Sequence, residues 1–371
     1  MKAKRKNKKK ILAGVLIVIV ILAAATGGWY GIQVHSAHKL LTQVEEMSFD
    51  QLMEEALKGS EEARVTVGVI KDGKTTWEVY GADGQAADQT EYMYEIGSIT
   101  KTMTAALIAR AVQEEKLQLT DTIDRYLALP DGKVCPTIGS LLTHTSGLDG
   151  EYLEWSMLSY VFHPEENPFL GLTKEIILEE YQKTELEEEE EYGFSYSNYG
   201  FALLGLVLEE VYDTDFTSLI DAYLRDELGL NNTHVSKGDA DFDGSWTWKT
   251  GDAYIPAGAV VSDITDMLKY AEAQLGNDPT LTMCHQTLKQ IDGSDQWDRM
   301  GGFCMDAIGM SWIIDTENGF IWHNGATGMH TSYLGFCPEK NTAVVVLSNL
   351  SQDEDIQTTT IGFRKLLEVS R

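Results

Sequence analysis

Residues 94–104 read YEIGSITKTMT and lead into a run of helix-forming residues that extends from Ala105 to Glu115. A serine that opens a helix, with a lysine three residues later, places a hydroxyl and an amine on the same helical face. A serine nucleophile that is activated by a neighbouring amine needs this arrangement. The helix N-terminus also favours negative charge near Ser98. Ser98 and Lys101 are therefore candidate catalytic residues, and the alternative for Lys101 is a solvated helix charge.

Two further motifs supply the other candidates. Tyr196-Ser197-Asn198 precedes an apolar segment that is predicted to be a buried helix. A tyrosine and an asparagine two residues apart in such a loop can both point into one cleft. An N-cap at Ser197 or Asn198 is the structural alternative, and both roles are compatible. His323-Asn324-Gly325 ends the apolar run of residues 320–322, where a single histidine can also be purely structural.

In this order, the three motifs resemble the active-site triplet of the serine β-lactamase and penicillin-binding protein clan. The branch that the chain resembles most holds class C β-lactamases, DD-peptidases and related esterases. Residues 141–148 (LLTHTSGL), 256–267 (PAGAVVSDITDM) and the hairpin predicted at 333–349 are similar to family stretches. The resemblance covers residues 62–368.

Two segments depart from the family pattern. His323 stands where β-lactamases usually carry lysine, a change that peptidases and esterases of the family often show. Residues 187–194 read EEEEEYGF, where the family usually has Pro-Gly. The resemblance therefore does not imply the conformation of the segment that precedes Tyr196.

The resemblance implies a mechanism through an acyl-enzyme. Ser98 would attack a carbonyl carbon, while Lys101 and Tyr196 would share the proton transfers in an order that the family leaves open. The backbone N–H groups of Ser98 and Ala326 would form the oxyanion hole, worth about 3 kcal/mol per donor.

Three supporting residues complete the expected site. Asn198 would hold Lys101 and the substrate amide. His323 would either bind a substrate carboxylate through its charge or orient Tyr196. Gly325, which has no side chain, would let the substrate backbone approach the strand edge.

The pattern of elements predicts an α/β fold of the α+β type. Residues 64–70 and 75–80 alternate around an Asp72-Gly73 turn and predict a hairpin. Four strands are predicted at 309–315, 319–322, 331–336 and 342–347, followed by a helix at 356–369, while residues 98–230 are helix-rich. Strands at both ends with helices between them predict one antiparallel sheet built from both termini, flanked by helices, with an inserted helical lobe. The resemblance implies the same β-lactamase/transpeptidase-like architecture.

The first 32 residues predict a membrane anchor. Residues 1–10 contain seven basic side chains and are predicted to be a cytoplasmic tail. Residues 11–32 are apolar and long enough to span a hydrocarbon core of about 30 Å as a transmembrane signal-anchor. A polar stem (33–61) and an extracellular serine hydrolase domain (62–371) would follow. A cleaved signal peptide, with secretion of the domain, is the alternative because Ala23–Ala25 supplies small residues.

Composition and charge exclude several function classes. The formal net charge is −29, and without the seven basic residues of the tail 22 basic side chains face 58 acidic ones, or −36. Nucleic acid is therefore not an expected partner. The four cysteines form no C-x-x-C pair, which argues against a zinc site. The segment 239–244 resembles the start of a calcium loop, but Thr250 occupies the position where such loops place glutamate, so a turn is the preferred interpretation. No metal and no cofactor is expected.

These observations predict a membrane-anchored extracellular serine hydrolase. Its expected substrate is an amide or ester, either a D-amino-acid peptide, as in DD-carboxypeptidases, or a small ester. A class C-like β-lactamase is the alternative enzyme, and cell-wall peptides or β-lactams would be within reach of an outward-facing domain. A non-catalytic penicillin-recognising sensor is the alternative from another class. The presence of all four residues Ser98, Lys101, Tyr196 and Asn198 favours an enzyme.

Overall fold

Strands from both ends of the chain pair in one antiparallel sheet. The computed structural model describes residues 47–81, 85–86, 92–148, 166–187, 192–242, 244–294, 303–351 and 356–371. The strands of this part are β1 (Val65–Lys71), β2 (Lys74–Tyr80), β3 (Met93–Glu95), β4 (His234–Val235), β5 (Val260–Asp263), β6 (Lys289–Gln290), β7 (Ala307–Ile308), β8 (Ile313–Asp315), β9 (Phe320–Ala326), β10 (Thr331–Cys337) and β11 (Thr342–Ser348).

The main sheet of the described residues has eight strands in the order β2-β1-β11-β10-β9-β8-β7-β6. The predicted N-terminal hairpin is present as β1 and β2. Asp72 and Gly73 at its turn have positive φ angles of 53° and 69°. Such angles suit the two-residue turns that match the right-handed twist of paired strands. β1 then pairs with β11, the last strand of the chain, with Val65 opposite Ser348. The predicted joining of both termini in one sheet is confirmed. A second sheet has the order β3-β5-β4.

Helices cover the sheet and fill the inserted lobe. They are α1 (Phe49–Ala56), α2 (Thr100–Gln113), α3 (Ile138–Leu142), α4 (Lys174–Lys183), α5 (Asn198–Tyr212), α6 (Phe216–Ala222), α7 (Ile255–Gly258), α8 (Ile264–Leu275), α9 (Pro279–Cys284) and α10 (Thr358–Val369). α2 is buried along most of its length and packs against α5, α7 and α9. A helix that is buried all round lies in the centre of a core rather than on its surface.

Every residue of β10 and β11 is buried, because helices pack on the sheet. α8 packs against β1 and β11, and a Cβ atom on Gly68 would lie 2.9 Å from side-chain carbons of Ile264 and Leu268. α10 packs against β10 and β11, where Gly362 lies against the ring of Tyr333. Because α8 and α10 pack on the sheet, the last strands are buried, which explains why their sequences are continuous apolar runs.

The strand predicted at 309–315 is shorter in the structure, where only residues 313–315 form a strand and residues 309–312 form a turn. β7 ends at Ile308, β8 begins at Ile313, and Ser311 between them has a φ of 69°. The amide of Met310 donates to Cys284 O and that of Ser311 donates to Leu142 O. Backbone groups that bond to other segments cannot also pair in a ladder, so the apolar run contains a turn.

The folded unit begins before residue 62. It extends from Phe49 to Arg371, and α1 packs against α10 with Leu52 and Met53 buried. Part of the segment predicted as a stem therefore belongs to the domain. The predicted anchor at residues 11–32 lies outside the described residues. Among those that are described, no helix has the length and apolar character needed to cross a bilayer.

The cysteines and the calcium-like segment have ordinary structural roles. Cys135, Cys284, Cys304 and Cys337 are all free thiols. In the segment that begins at Asp239, the Asp239 carboxylate accepts from the amide of Gly244 at 3.1 Å, as in a polar turn.

Gly362→Ala should destabilise the domain. A Cβ atom there would lie 2.1 Å from Cδ1 of the fully buried Tyr333 ring. Overpacking of this kind costs about 1–3 kcal/mol, which exceeds the helix-propensity gain of about 1 kcal/mol from replacing glycine. Thermal unfolding should show a lower Tm. The matched control is Gly200→Ala in α5, where the nearest atom lies 3.4 Å away and no loss is expected. Equal Tm changes in the two variants would contradict the packing argument.

Candidate active site

Ser98 lies on a short helical turn, Gly97–Ile99, between β3 and α2. Gly97 has a φ of 49°, which favours glycine. A Cβ atom at this position would lie 2.6 Å from the backbone nitrogen of Ala326 in β9. The turn can therefore form here only because residue 97 has no side chain.

Lys101 is the buried partner of Ser98. Its Nζ donates to Ser98 Oγ at 2.9 Å and to the carbonyl oxygen of Ala257 at 2.6 Å. The same Nζ lies 4.9 Å from the centre of the Tyr196 ring. The side chain has no solvent exposure. Lys101 is thus not a solvated helix charge, and the hydroxyl and amine face each other as the spacing predicts.

Both roles considered for the Tyr196 segment occur together. Ser197 is the N-cap of α5, and its Oγ accepts from the amide of Gly200 at 3.0 Å. Tyr196 and Asn198 on either side of this cap line the same cleft as Ser98. The cap therefore fixes where the helix starts, and the residues before and after it, Tyr196 and Asn198, lie in the cleft that contains Ser98.

The edge of β9 forms the opposite side of the cleft through Asn324, Gly325 and Ala326. A Cβ atom on Gly325 would lie 2.0 Å from Ile96 O and 2.8 Å from Ser98 N. Glycine is thus required at residue 325 because β9 packs against the turn that carries Ser98. This reason differs from the predicted one, the approach of a substrate backbone. The packing brings the backbone of Ala326 beside that of Gly97 and Ser98.

His323 lies beneath the cleft rather than in its lining. It is 2% exposed, and its Nδ1–H donates to the carbonyl oxygen of Asn324 at 2.6 Å. Burial, and next the charge of Lys101, lower the pKa of His323 to about 3. The imidazole is therefore neutral at physiological pH. A role in which its charge binds a substrate carboxylate is not compatible with this position, whereas a neutral role beside Tyr196, 6.3 Å away between ring centres, is.

An aromatic wall, which was not predicted from the sequence, completes the cleft of about 410 Å³. It consists of Phe169, Trp246, Trp248 and Tyr254. The Phe169 ring stacks on Tyr254 at 4.6 Å and lies parallel to Trp248 at 6.3 Å. The clustering of tryptophans in the segment 245–248 (SWTW) is the sequence signal that could have indicated this wall.

Glu95, three residues before Ser98, connects two sides of the cleft. This buried carboxylate accepts from the amide of Trp246 at 2.7 Å and from the hydroxyl of Thr327 at 2.6 Å. Nδ1 of His330 lies 3.3 Å from it. Buried carboxylates are stable when such donors satisfy them. Glu95 therefore ties the aromatic wall to the turn that follows β9.

The described residues that line the cleft include no charged side chain. One group of possible metal ligands occurs in the described part, Cys304, Asp306 and Asp315, and none of the three lines the cleft. The chemistry available in the cleft is therefore that of a serine, a buried amine, a phenol and backbone donors.

Comparison with known proteins identifies the family. Residues 49–365 match the family model described as Beta-lactamase. The chain belongs to the β-lactamase family. Its homologues and structural neighbours in this family are serine hydrolases.

Curated relatives are distant in sequence. Protein flp of Staphylococcus aureus (strain COL) is 24% identical over 343 residues, which cover 84% of this chain and 65% of that protein. This chain therefore spans slightly less than two thirds of that relative. A protein named Beta-lactamase from Providencia stuartii is 28% identical over 202 residues, or 53% of this chain and 47% of that protein.

Solved structures share the fold. A β-lactamase/D-alanine carboxypeptidase from Yersinia pestis, complexed with citrate, has a TM-score of 0.69 at 18% identity and covers 90% of this chain and 99% of that one. The octameric penicillin-binding protein homologue from Pyrococcus abyssi has a TM-score of 0.67 at 22% identity, with coverage of 89% and 77%. The β-lactamase fold predicted from the motifs is confirmed.

Acidification should test the neutral state of His323. An unfolded histidine binds a proton below a pKa of about 6.5, whereas folded His323 does so only near 3. Its contribution to stability is therefore full above pH 6.5 and is lost as the pH falls toward 3. The stability of the wild type relative to His323→Gln should fall by about 2 kcal/mol between pH 7.5 and 5, since each pKa unit corresponds to about 1.4 kcal/mol.

The measurement is thermal unfolding of both proteins at the two pH values. His285→Gln is the control, because burial lowers the pKa of His285 to about 4 and its ring contacts Trp312 and Phe336, neither of which lines the cleft. It should show a similar pH effect on Tm with unchanged kcat. A wild-type kinetic profile with an inflection near pH 6.5 that His323→Gln removes would contradict the neutral assignment.

Proposed function

We propose that this protein hydrolyses esters or amides with a neutral, apolar acyl group through an acyl-enzyme on Ser98. The observation that carries the proposal is the buried Lys101 Nζ, 2.9 Å from Ser98 Oγ. This pair lies at a cleft whose described lining is uncharged and includes an aromatic wall.

Ser98 Oγ attacks the substrate carbonyl carbon, and its proton passes to Lys101 or Tyr196. The oxygen of the tetrahedral intermediate takes up the negative charge, which the N–H groups of Ser98 and Ala326 stabilise by about 3 kcal/mol for each donor. The carbonyl double bond then re-forms, the bond from the carbonyl carbon to the alcohol or amine breaks, and this leaving group takes the proton. The acyl group remains esterified to Ser98. Water, deprotonated by the same groups, attacks the acyl-enzyme and releases the acid.

The supporting residues have separate tasks. Asn198 holds the amine of Lys101 and the substrate amide. Neutral His323 supports Tyr196 from below. Gly325 allows β9 to stand close to Ser98, so that Ala326 can contribute its N–H group.

The aromatic wall favours apolar acyl groups over charged ones. Phe169, Trp246, Trp248 and Tyr254 present ring carbons to the cleft. Aromatic groups gain about 0.5–1.5 kcal/mol from ring contacts beyond the burial of area. A carboxylate placed against this wall would lose hydration without meeting a cation among the described lining residues, which is costly.

A D-amino-acid peptide or a β-lactam is the second candidate substrate. A smaller pocket of about 270 Å³ adjoins Gly325 and Ala326 on the edge of β9. Its lining includes the polar side chains of Thr331, Ser351, Gln357, Thr358 and Thr359. Hydroxyl and amide donors of this kind can hold a carboxylate without a cation. The name of the Yersinia pestis neighbour, β-lactamase/D-alanine carboxypeptidase, is consistent with this candidate.

We also propose that residues 11–32 anchor the chain in the cell membrane, with the catalytic domain outside. The support is the sequence pattern, in which seven basic residues precede a long apolar run. Basic flanks remain cytoplasmic. Cell-surface esters and peptides would then be accessible to the domain.

Ser98→Ala should abolish hydrolysis and acyl-enzyme formation, because Ser98 Oγ carries the acyl group in the proposed mechanism. A benzoyl aryl ester, a D-Ala-D-Ala peptide and a penicillin should be compared by kcat/KM and by intact-protein mass spectrometry. The benzoyl ester is expected to react at least about 10-fold faster than the succinyl ester of the same phenol, whose acyl group carries a carboxylate; this corresponds to about 1.4 kcal/mol. Ser195→Ala, at an exposed position near Tyr196, is the control and should keep full activity.

The outcomes separate the candidates. Faster turnover of the peptide would favour a DD-carboxypeptidase, and rapid turnover of penicillin would favour a β-lactamase. An adduct that persists in Ser98→Ala would contradict the nucleophile. Absence of turnover and of adducts with all three compounds would indicate a binding protein.

The anchor is tested in cells. The full-length chain should stay in the membrane after carbonate extraction, and external protease should digest its catalytic domain. A fragment that starts at His38 should remain active without detergent, because every site residue lies beyond it. Recovery from the medium of a chain that begins near Thr26 would establish signal cleavage instead.

A further inference from the structure

His144 holds the backbone on both sides of Tyr196. The amide of Ser195 donates to the carbonyl oxygen of His144 at 2.8 Å. The amide of Ser197 donates to Nδ1 of the His144 ring at 3.0 Å. Two hydrogen bonds, one residue before and one after, thus connect the Tyr196 loop to a single residue of the segment that follows α3.

The His144 ring also contacts the Tyr196 ring directly. Their centres are 4.5 Å apart at an angle of 32°, and the centre of Phe201 lies 5.2 Å from His144. Lys101 Nζ lies 4.9 Å from the Tyr196 ring and 5.7 Å from the Phe201 ring. His144 therefore contacts both the backbone of the loop and the Tyr196 ring near Lys101, although Tyr196 itself is 39% exposed.

The state of the imidazole follows from its hydrogen bond. Because Nδ1 accepts from Ser197, it carries no proton, and the neutral ring has its proton on Nε2. Burial, and next the charge of Lys101, lower the pKa of His144 well below its usual value, so the ring stays neutral. An imidazolium could not accept this bond, since both of its nitrogens are donors.

His144 has two features that are unfavourable for stability. Its φ is 54°, a left-handed conformation that is uncommon for residues other than glycine. Its buried Nε2 has no hydrogen-bond partner among the residues that the structure describes. Features of this kind persist where a function requires them.

We propose that His144 is a positioning residue for Tyr196, which it holds in the proton-transfer position through its carbonyl oxygen, Nδ1 and ring face. The proposal rests on the proposed role of Tyr196 in proton transfer. His144 does not touch the reacting atoms and acts through the tyrosine.

The first test compares His144→Leu with His144→Asn. Leucine has similar bulk but no acceptor. Asparagine places an oxygen near the position of Nδ1 and tolerates left-handed backbone. His144→Leu should lower kcat for the benzoyl ester by about 100-fold, the scale of lost acid–base catalysis, with little change in KM. His144→Asn should recover most of this loss. Equal losses in the two variants would overturn the proposal. If His144→Leu does not fold, His144→Gln replaces it, because its amide oxygen lies beyond the Nδ1 position.

The second test repeats His144→Leu in a Tyr196→Phe background. If His144 acts through the phenol, the double variant should have the kcat of Tyr196→Phe alone, because residues that act as a unit are not additive. An equal further loss in this background would overturn the positioning role alone. An unchanged kcat in Tyr196→Phe by itself would overturn the catalytic role of Tyr196, and with it the positioning role.

A spectroscopic test does not depend on activity. In protein labelled with ¹⁵N-histidine, Nδ1 of His144 should resonate as an unprotonated imidazole nitrogen and Nε2 as a protonated one. His144→Asn identifies the signal by its disappearance. A proton on Nδ1 at neutral pH would exclude the hydrogen bond from Ser197 and would overturn the proposal.

Discussion

Strand β9 lies directly against the backbone of the turn that carries Ser98, and the site depends on this contact. Side chains are absent where the two segments meet, because residue 97 in the turn and residue 325 in the strand are glycines whose Cβ atoms would clash with backbone atoms. Ser332 in the neighbouring strand donates to the carbonyl oxygen of Ile96 at 2.8 Å and stabilises the same contact. The sheet and the helical lobe thus meet at Ser98. The N–H groups of Ser98 in the turn and of Ala326 in β9 can face one reacting oxygen.

Beneath this contact lies a small polar cluster in an apolar core. Lys101 is fully buried, and the buried rings of the histidines at 144 and 323 have their centres 4.5 and 6.3 Å from that of Tyr196. Burial lowers the pKa of both histidines, and the charge of Lys101 adds to the effect. The two rings can therefore act only as neutral groups, each with one donor and one acceptor nitrogen. The arrangement keeps further positive charge away from Lys101, where repulsion in a low dielectric would be large.

The aromatic wall of the cleft is built from loops rather than from the helices and strands that surround Ser98. Phe169 and Trp246 belong to connecting segments, and Glu95 fixes the second of them by accepting from its amide. Loops on a rigid scaffold are where related proteins vary and where specificity is determined. The aromatic wall can therefore set the shape of the cleft independently of the residues that surround Ser98.

Sequence reasoning was sufficient for the fold class, the hairpin at Asp72-Gly73, the joining of both termini in one sheet and the Ser98–Lys101 pair. These features depend on local periodicity, turn residues and short spacings, which are properties of contiguous sequence. It could not place the turn at Ser311, because the amides of Met310 and Ser311 donate to carbonyl oxygens of Cys284 and Leu142. These acceptors are distant in sequence. Nor could sequence reasoning choose between a charged and a neutral His323, assign His144 or place the tryptophans of segment 245–248 at the cleft. Each of these depends on burial and on partners that lie far away in the chain, and only tertiary packing sets the dielectric, the hydrogen-bond partners and the neighbours of a side chain.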